Sequence, residues 1–243
     1  MTDVLIYPTH AAASRALCDR LVHVSESAMA VRGRFMVALA GGNTPRMAYE
    51  LLAGEFAPDM DWESSYIFWT DERAVPPDSI DSNARMLRES LINYIQIPLD
   101  RVFRMHGEGP PEKAAQDYDD HLHHFFEARG LHTPHFDALL LGLGLDGQIA
   151  SLWPGSPELE EPHRWVVATQ RPDEDFARIS LTLPAINSAA HVFVLATGAE
   201  KAPIVAQALQ ANGNADWLPA QRVAPVNGQL VWILDEAAAR ELA

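Results

Sequence analysis

Residues 137–157, DALLLGLGLDGQIASLWPGSP, decide the fold. The run ALLL is short and continuously apolar, as in a strand covered on both faces. It breaks at Gly142, Gly144 and Gly147, where backbone without Cβ atoms can approach a ligand closely. Asp146 and Gln148 offer polar tips beside that turn. A very short helix is expected next, because Pro154 and Gly155 leave room for about one or two turns. GLGLDG matches the G-x-G-x-x-G spacing of dinucleotide-binding turns. Such a site needs a long helix after the turn, which this sequence does not supply. Glu160 and Glu161 fall near the offset of an acidic ribose ligand, but in the loop-like context EEPHRW.

Strand-like and helix-like segments alternate on both sides of this stretch. VLIYP, FMVALA, YIFWT, RVFRM, WVVAT, RISLT, HVFVLAT and LVWILD read as further strands. Helical patterns cover residues 11–30, 45–52, 82–94, 111–129, 199–210 and 236–242. The expected fold class is α/β, a doubly wound, mostly parallel sheet with helices on both faces. This is a Rossmann-like three-layer architecture, in a single domain over residues 1–243. Ligands of such sheets bind beyond the carboxyl ends of the strands. GEGPPEK (107–113) and NGNADWLPAQ (212–221) read as surface loops.

Of 243 residues, 48% are hydrophobic, enough for a substantial core. The net charge of −15 argues against a nucleic-acid partner, although a few local cations can still hold a small anion. The single cysteine, Cys18, excludes an internal disulfide and a multi-cysteine zinc site. In AAASRALCDRLV it reads as a small buried residue. No stretch approaches the roughly 20 apolar residues of a membrane span. MTDVLIYPTH lacks a basic leader region and reads as a first strand. A soluble cytoplasmic protein is expected, without a membrane partner. The acidic surface points to a monomer or weak homodimer.

Four further segments carry chemistry or resemble it. In ALAGGNTPRMAYELL (38–52) a strand ends at Gly41 and Gly42, and a helix starts at Asn43-Thr44-Pro45, with a capping side chain before the proline. Unpaired N–H groups at such a helix start attract anions, though a plain strand-to-helix turn fits the spacing equally well. In WTDERAVPPDSIDSNARMLRESL (69–91), Asp71, Glu72 and Arg73 leave a strand together, and Ser82 is placed to cap the next helix. A carboxylate beside a guanidinium stays ionised and can hold a hydroxyl or water. By composition alone the same triplet fits an exposed loop. In RISLTLPAINSAAHVFVLATGAEKAPIV (178–205), Arg178 opens an apolar strand and Lys201 opens a helix. A phosphate would use the arginine as a fork and the lysine as a point charge, yet two surface cations are the commoner origin of such a pair. In the histidine-rich HLHHFFEARGLHTPHF (121–136), His121 and His124 could share a helical face and hold a metal, but with no His-Glu-x-x-His pattern and no neighbouring cysteine, exposed, non-ligating histidines are expected.

Taken in order, these segments resemble the 6-phosphogluconolactonase family across nearly the whole chain. The resemblance rests on GGNTP, DER-x-V-P with Ser82-Asn83, and GLGLDG with Ala150-Ser151-Leu152. It continues through Arg178 in RISLTLPAIN, Lys201 in TGAEKA, and PAQRVAPVNGQLVWILDEAAA (219–239). It implies hydrolysis of 6-phospho-D-glucono-1,5-lactone to 6-phosphogluconate in the oxidative pentose phosphate pathway, with no metal or organic cofactor. It also implies that Gly42, Asn43 and Thr44, with Arg178 and Lys201, hold the phosphate. Asp71 and Arg73 would line the sugar ring and lactone, and Gly41, Gly144, Asp146 and Gly147 would complete the substrate site. The family's histidine, a general base, falls at Gln148. A glutamine amide takes no proton near neutral pH, though it can orient water. Asp71, Glu72 or His163 are alternative bases.

Two other functions stay open. A sugar-phosphate binding protein on the same fold would keep Arg178 and Lys201 without turnover. An amino-sugar-phosphate deaminase or isomerase would be expected to carry Asp-Glu-Tyr at residues 71–73, and the missing histidine.

Overall fold

The computed structural model describes residues 2–171, 174–210 and 218–242. The strands are β1 (Thr2–Tyr7), β2 (Phe35–Leu39), β3 (Ser65–Trp69), β4 (Asp71–Arg73), β5 (Val102–Phe103), β6 (Ala138–Leu141), β7 (Val166–Thr169), β8 (Arg178–Leu181), β9 (His191–Ala196) and β10 (Gln229–Asp235). The α-helices are α1 (His10–Arg32), α2 (Arg46–Ala53), α3 (Asn83–Ser90), α4 (Pro111–Glu127), α5 (Leu183–Asn187), α6 (Ala202–Leu209) and α7 (Glu236–Ala239). Seven strands form a parallel sheet in the order β1-β10-β9-β6-β2-β3-β5. The architecture is the expected three-layer α/β type.

The central strands β2 (FMVAL) and β6 (ALLL) are buried at every residue. Their uninterrupted apolar sequences fit strands covered on both faces. The 23-residue helix α1 starts where Thr9 Oγ1 accepts from Ala12 N at 3.2 Å. It stops at Gly33, whose φ of 63° is left-handed. α1 packs on β1, β2, β9, β10 and α2. Cys18 lies buried in that interface, its Sγ 3.3 Å from Ala48 O.

Chain progression reverses between β2 and β6. From β2 the chain moves outward through β3 to β5, and from β6 it moves the other way through β9 to β10. The loops that follow β2 and β6 therefore diverge and leave a crevice at the carboxyl ends of the strands.

Several expectations are corrected. WVVAT and RISLT do not join the parallel sheet. They form β7 and β8 of a separate antiparallel sheet, ordered β4-β8-β7, on which α4 packs. Asp71-Glu72-Arg73 is not an exposed loop but β4, and Glu72 is 1% exposed. Thr70 joins the two sheets. Its N–H donates to Leu39 O at 3.0 Å, and its carbonyl accepts from Leu181 N at 2.8 Å.

No helix follows the glycine turn. Residues 148–156 fold back through an isolated bridge between Ile149 and Leu152. Ala150, at φ +45°, turns the chain before a helical hydrogen bond can close. The start of α2 has no side-chain cap, since Asn43 supplies only its carbonyl, 3.3 Å from Arg46 N. Ser82, by contrast, caps α3 as expected, its Oγ accepting from Arg85 N at 3.2 Å. Of the predicted loop 212–221, residues 212–217 lie outside the described residues. Among the described residues no helix is long and apolar enough to cross a membrane.

Candidate active site

The crevice between the β2 and β6 loops holds a cleft of about 230 Å³. One wall is the turn from Gly41 to Pro45, and the opposite wall runs from Gly142 to Gly144 with Gln148 and Ala150. Asp71, Arg73, Arg178 and Lys201 complete the lining. Sequence positions 40 to 201 thus converge on one small volume.

The small sheet sets its chemistry. β4 and β8 run antiparallel, with Asp71 opposite Ser180 and Arg73 opposite Arg178. Asp71 Oδ2 accepts from Ser151 Oγ at 2.8 Å, and Arg178 Nη1 lies 3.4 Å from the same hydroxyl. Ser151 thereby joins the Asp71 carboxylate to Arg178. Arg73 Nη1 donates to Asp81 O at 2.6 Å, while its Nε is buried and finds no partner among the described residues.

Glu72 points away from the cleft and fixes its floor. Its carboxylate accepts from Arg73 N at 2.8 Å, Asn83 N at 2.7 Å and Ala84 N at 2.7 Å. Burial pushes the Glu72 carboxyl up to about 7, against the opposing pull of those N–H donors. Asn83 Nδ2 donates to Asp71 O at 2.8 Å. A Cβ on Gly41 would fall 1.8 Å from Asn83 Oδ1, so this close approach requires glycine.

Lys201 is half-buried and donates to Leu143 O at 2.7 Å. Burial holds its ammonium below the usual lysine range, while Glu200 and Asp146 pull the other way. Gln148 is held at both ends of its amide: Nε2 donates to Ala150 O at 3.2 Å, and Oε1 accepts from Arg171 Nη1 at 2.9 Å.

Ten of the sequence-derived site residues line the cleft: Gly41, Gly42, Asn43, Thr44, Asp71, Arg73, Gly144, Gln148, Arg178 and Lys201. Asp146 and Gly147 stand outside the lining. Asp146 instead accepts from Gln148 N and Arg171, and Gly147 packs against Leu218. His163 is exposed beside Glu161 and away from the lining. Three functional candidates carry no motif signal. Arg171 and Glu174 lie between β7 and β8, outside every motif, yet Arg171 braces Gln148 and Glu174 forks onto Arg178. His10 is a third, its Nε2 2.9 Å from Thr44 O. Of the histidines of α4, His121 and His124 are exposed, with His121 4.8 Å from Phe103, while half-buried His123 stacks on Trp165 at 3.6 Å. No group of three metal-ligating side chains comes together among the described residues.

The sequence profile of glucosamine-6-phosphate isomerases/6-phosphogluconolactonase matches residues 8–232. The chain belongs to this family. Within the isomerase/lactonase family, it is 34% identical to probable 6-phosphogluconolactonase 2 of Oryza sativa subsp. japonica, over 99% of this chain and 90% of that protein. It is 38% identical to the 6-phosphogluconolactonase of Synechocystis sp., over 88% of each. The fold matches 6-phosphogluconolactonase from Trypanosoma brucei with a TM-score of 0.87 at 30% identity, covering 100% of this chain and 99% of that one. A monomeric glucosamine-6-phosphate deaminase, at TM-score 0.81 and 20% identity over 98% of this chain and 99% of that one, shares the fold alone.

Proposed function

We propose that this chain hydrolyses 6-phospho-D-glucono-1,5-lactone to 6-phosphogluconate. The observation that carries the proposal is the convergence of Arg178, Lys201, the Gly42-Asn43-Thr44 turn and Asp71 on one cleft at the sheet's switch point. The cations and the turn hold the phosphate, the arginine as a fork and the lysine as a point charge. Asp71 and Arg73 face the sugar ring. A water attacks the lactone carbonyl, and the ring oxygen leaves as the C5 hydroxyl. The proton lost by water passes to Asp71 and then to the departing oxygen. Gln148 orients the water or the carbonyl but takes no proton. No step calls for a metal or organic cofactor. The acidic surface fits a monomer or weak homodimer, and the cytoplasm is the compartment proposed.

The test is lactone hydrolysis with substrate generated in place from glucose 6-phosphate and spontaneous hydrolysis subtracted. A rate above background that falls in Arg178→Gln and Lys201→Met, mainly through KM, supports the proposal. Absence of any rate above background sinks it. A second function, a sugar-phosphate binding protein without turnover, is favoured by one observation: both ends of the Gln148 amide are already engaged. Tight 6-phosphogluconate binding with no catalysis would select it.

A further inference from the structure

Arg178 has a carboxylate on it. Its Nε donates to Glu174 Oε2 at 2.7 Å and its Nη2 to Glu174 Oε1 at 2.5 Å. This is the forked, two-bond geometry in which a guanidinium binds a phosphate. The arginine's remaining nitrogen, Nη1, faces Ser151 Oγ at 3.4 Å. The pair is sheltered, with side-chain exposures of 10% for Arg178 and 23% for Glu174.

We propose that Glu174 is a specificity-determining residue, whose carboxylate competes with the incoming anion for the Arg178 fork. The proposal rests on the phosphate site assigned above. Glu174 is tethered four residues from Arg178, so its effective concentration at the guanidinium is high. A monoanion that takes the fork replaces one negative charge with another and gains nothing from the exchange. A phosphate dianion brings more charge and three strong acceptor oxygens. It can also engage Lys201 and the Gly42–Thr44 backbone across the same cleft. Glu174 therefore sets a threshold that phosphorylated ligands pass and simple carboxylates do not.

The experiment is calorimetric titration of the protein and its Glu174→Gln and Arg178→Gln variants. The probes are inorganic phosphate and acetate, at a pH where phosphate is mostly dianionic. The expected result is phosphate binding to the parent, with Glu174→Gln about tenfold tighter because a tethered competing charge is gone. Acetate, held below detection in the parent, should bind the same variant measurably, because the competitor lowers every fork-binding anion's affinity by a common factor. Glu174→Ala should shift affinity in the same direction, and melting temperatures of all variants verify folding. If phosphate binds Glu174→Gln no more tightly than the parent while Arg178→Gln loses it, competition is refuted and the phosphate site stands. If phosphate binds neither the parent nor Glu174→Gln, the phosphate site and the competition both fall.

Discussion

Arg171 Nη1 donates to Gln148 Oε1 at 2.9 Å and also reaches Asp146 Oδ2 at 3.0 Å. One guanidinium nitrogen thus braces a neutral amide and neutralises the carboxylate behind it. Where a histidine would take a proton, this chain holds a fixed dipole backed by a permanent cation. The site keeps its shape at position 148 without a titrating group there.

Replacing Gln148 with histidine restores a proton acceptor on the cleft wall. Gln148→His should hydrolyse the lactone faster, by about tenfold or more, because an imidazole is a stronger base than the Asp71 carboxylate it supplements. Its pH–rate profile should gain an acid limb, absent in the parent, where the imidazole protonates. An unchanged rate and profile would mean that Asp71 remains the sole proton acceptor even with an imidazole at position 148.

Asp71→Asn preserves size and the bond from Ser151 but removes the negative charge. Turnover should fall by about 10²–10⁴-fold, with phosphate binding retained. Steady-state kinetics beside phosphate titration separates the two effects. Equal turnover in variant and parent would exclude Asp71 as the proton acceptor.

The two glycines of Gly142-Leu143-Gly144 should respond differently to alanine. A Cβ on Gly142 meets nothing within 4 Å, so Gly142→Ala should melt close to the parent. A Cβ on Gly144 would lie 2.3 Å from Gln148 Cγ and 2.6 Å from Asp146 Oδ1. Gly144→Ala should lose stability by about 1–3 kcal/mol through overpacking, and displace Gln148. Matching melting curves for the two variants would contradict this.

Glu72 gives stability a pH dependence of defined sign. Burial raises its folded-state pKa from 4.5 to about 7. Between those values the folded protein binds more protons than the unfolded one, so this contribution weakens as pH rises. It is complete below pH 4.5 and lost as pH passes through 7. Denaturant titrations at several pH values should show a flatter profile in Glu72→Gln across that window. That variant should also be less stable throughout, since an amide N–H2 replaces an acceptor facing backbone donors. Parallel profiles for parent and variant would rule out the assignment.

Much of the fold was legible because its signals are local. ALLL and FMVAL are apolar without a break, and only strands buried on both faces combine that with such short length. Most of the cleft lining could also be read, because Gly41–Thr44, Asp71, Arg73 and Gln148 directly follow strands or stand in their turns. The small sheet was not legible. Arg178-Ile179-Ser180-Leu181 is as buried as a central strand, and no local pattern tells an antiparallel partner from a parallel one. The helix expected after Gly147 is absent for a similar reason: the positive φ of Ala150 accompanies the Ile149–Leu152 bridge and is not signalled by alanine itself. Arg171 and Glu174 escaped because side chains that meet across a loop leave no periodic trace.

Thr70 splices one sheet to the other, with its N–H on Leu39 and its carbonyl on Leu181. The cleft draws its glycine turns from one sheet and Asp71, Arg73 and Arg178 from the other. Catalysis is thereby coupled to cooperative assembly. A chain with its large sheet folded and its small sheet undocked would keep most of its parallel-strand structure yet have half a site. Enzymatic rate is then a stricter gauge of native assembly than any measure of secondary-structure content.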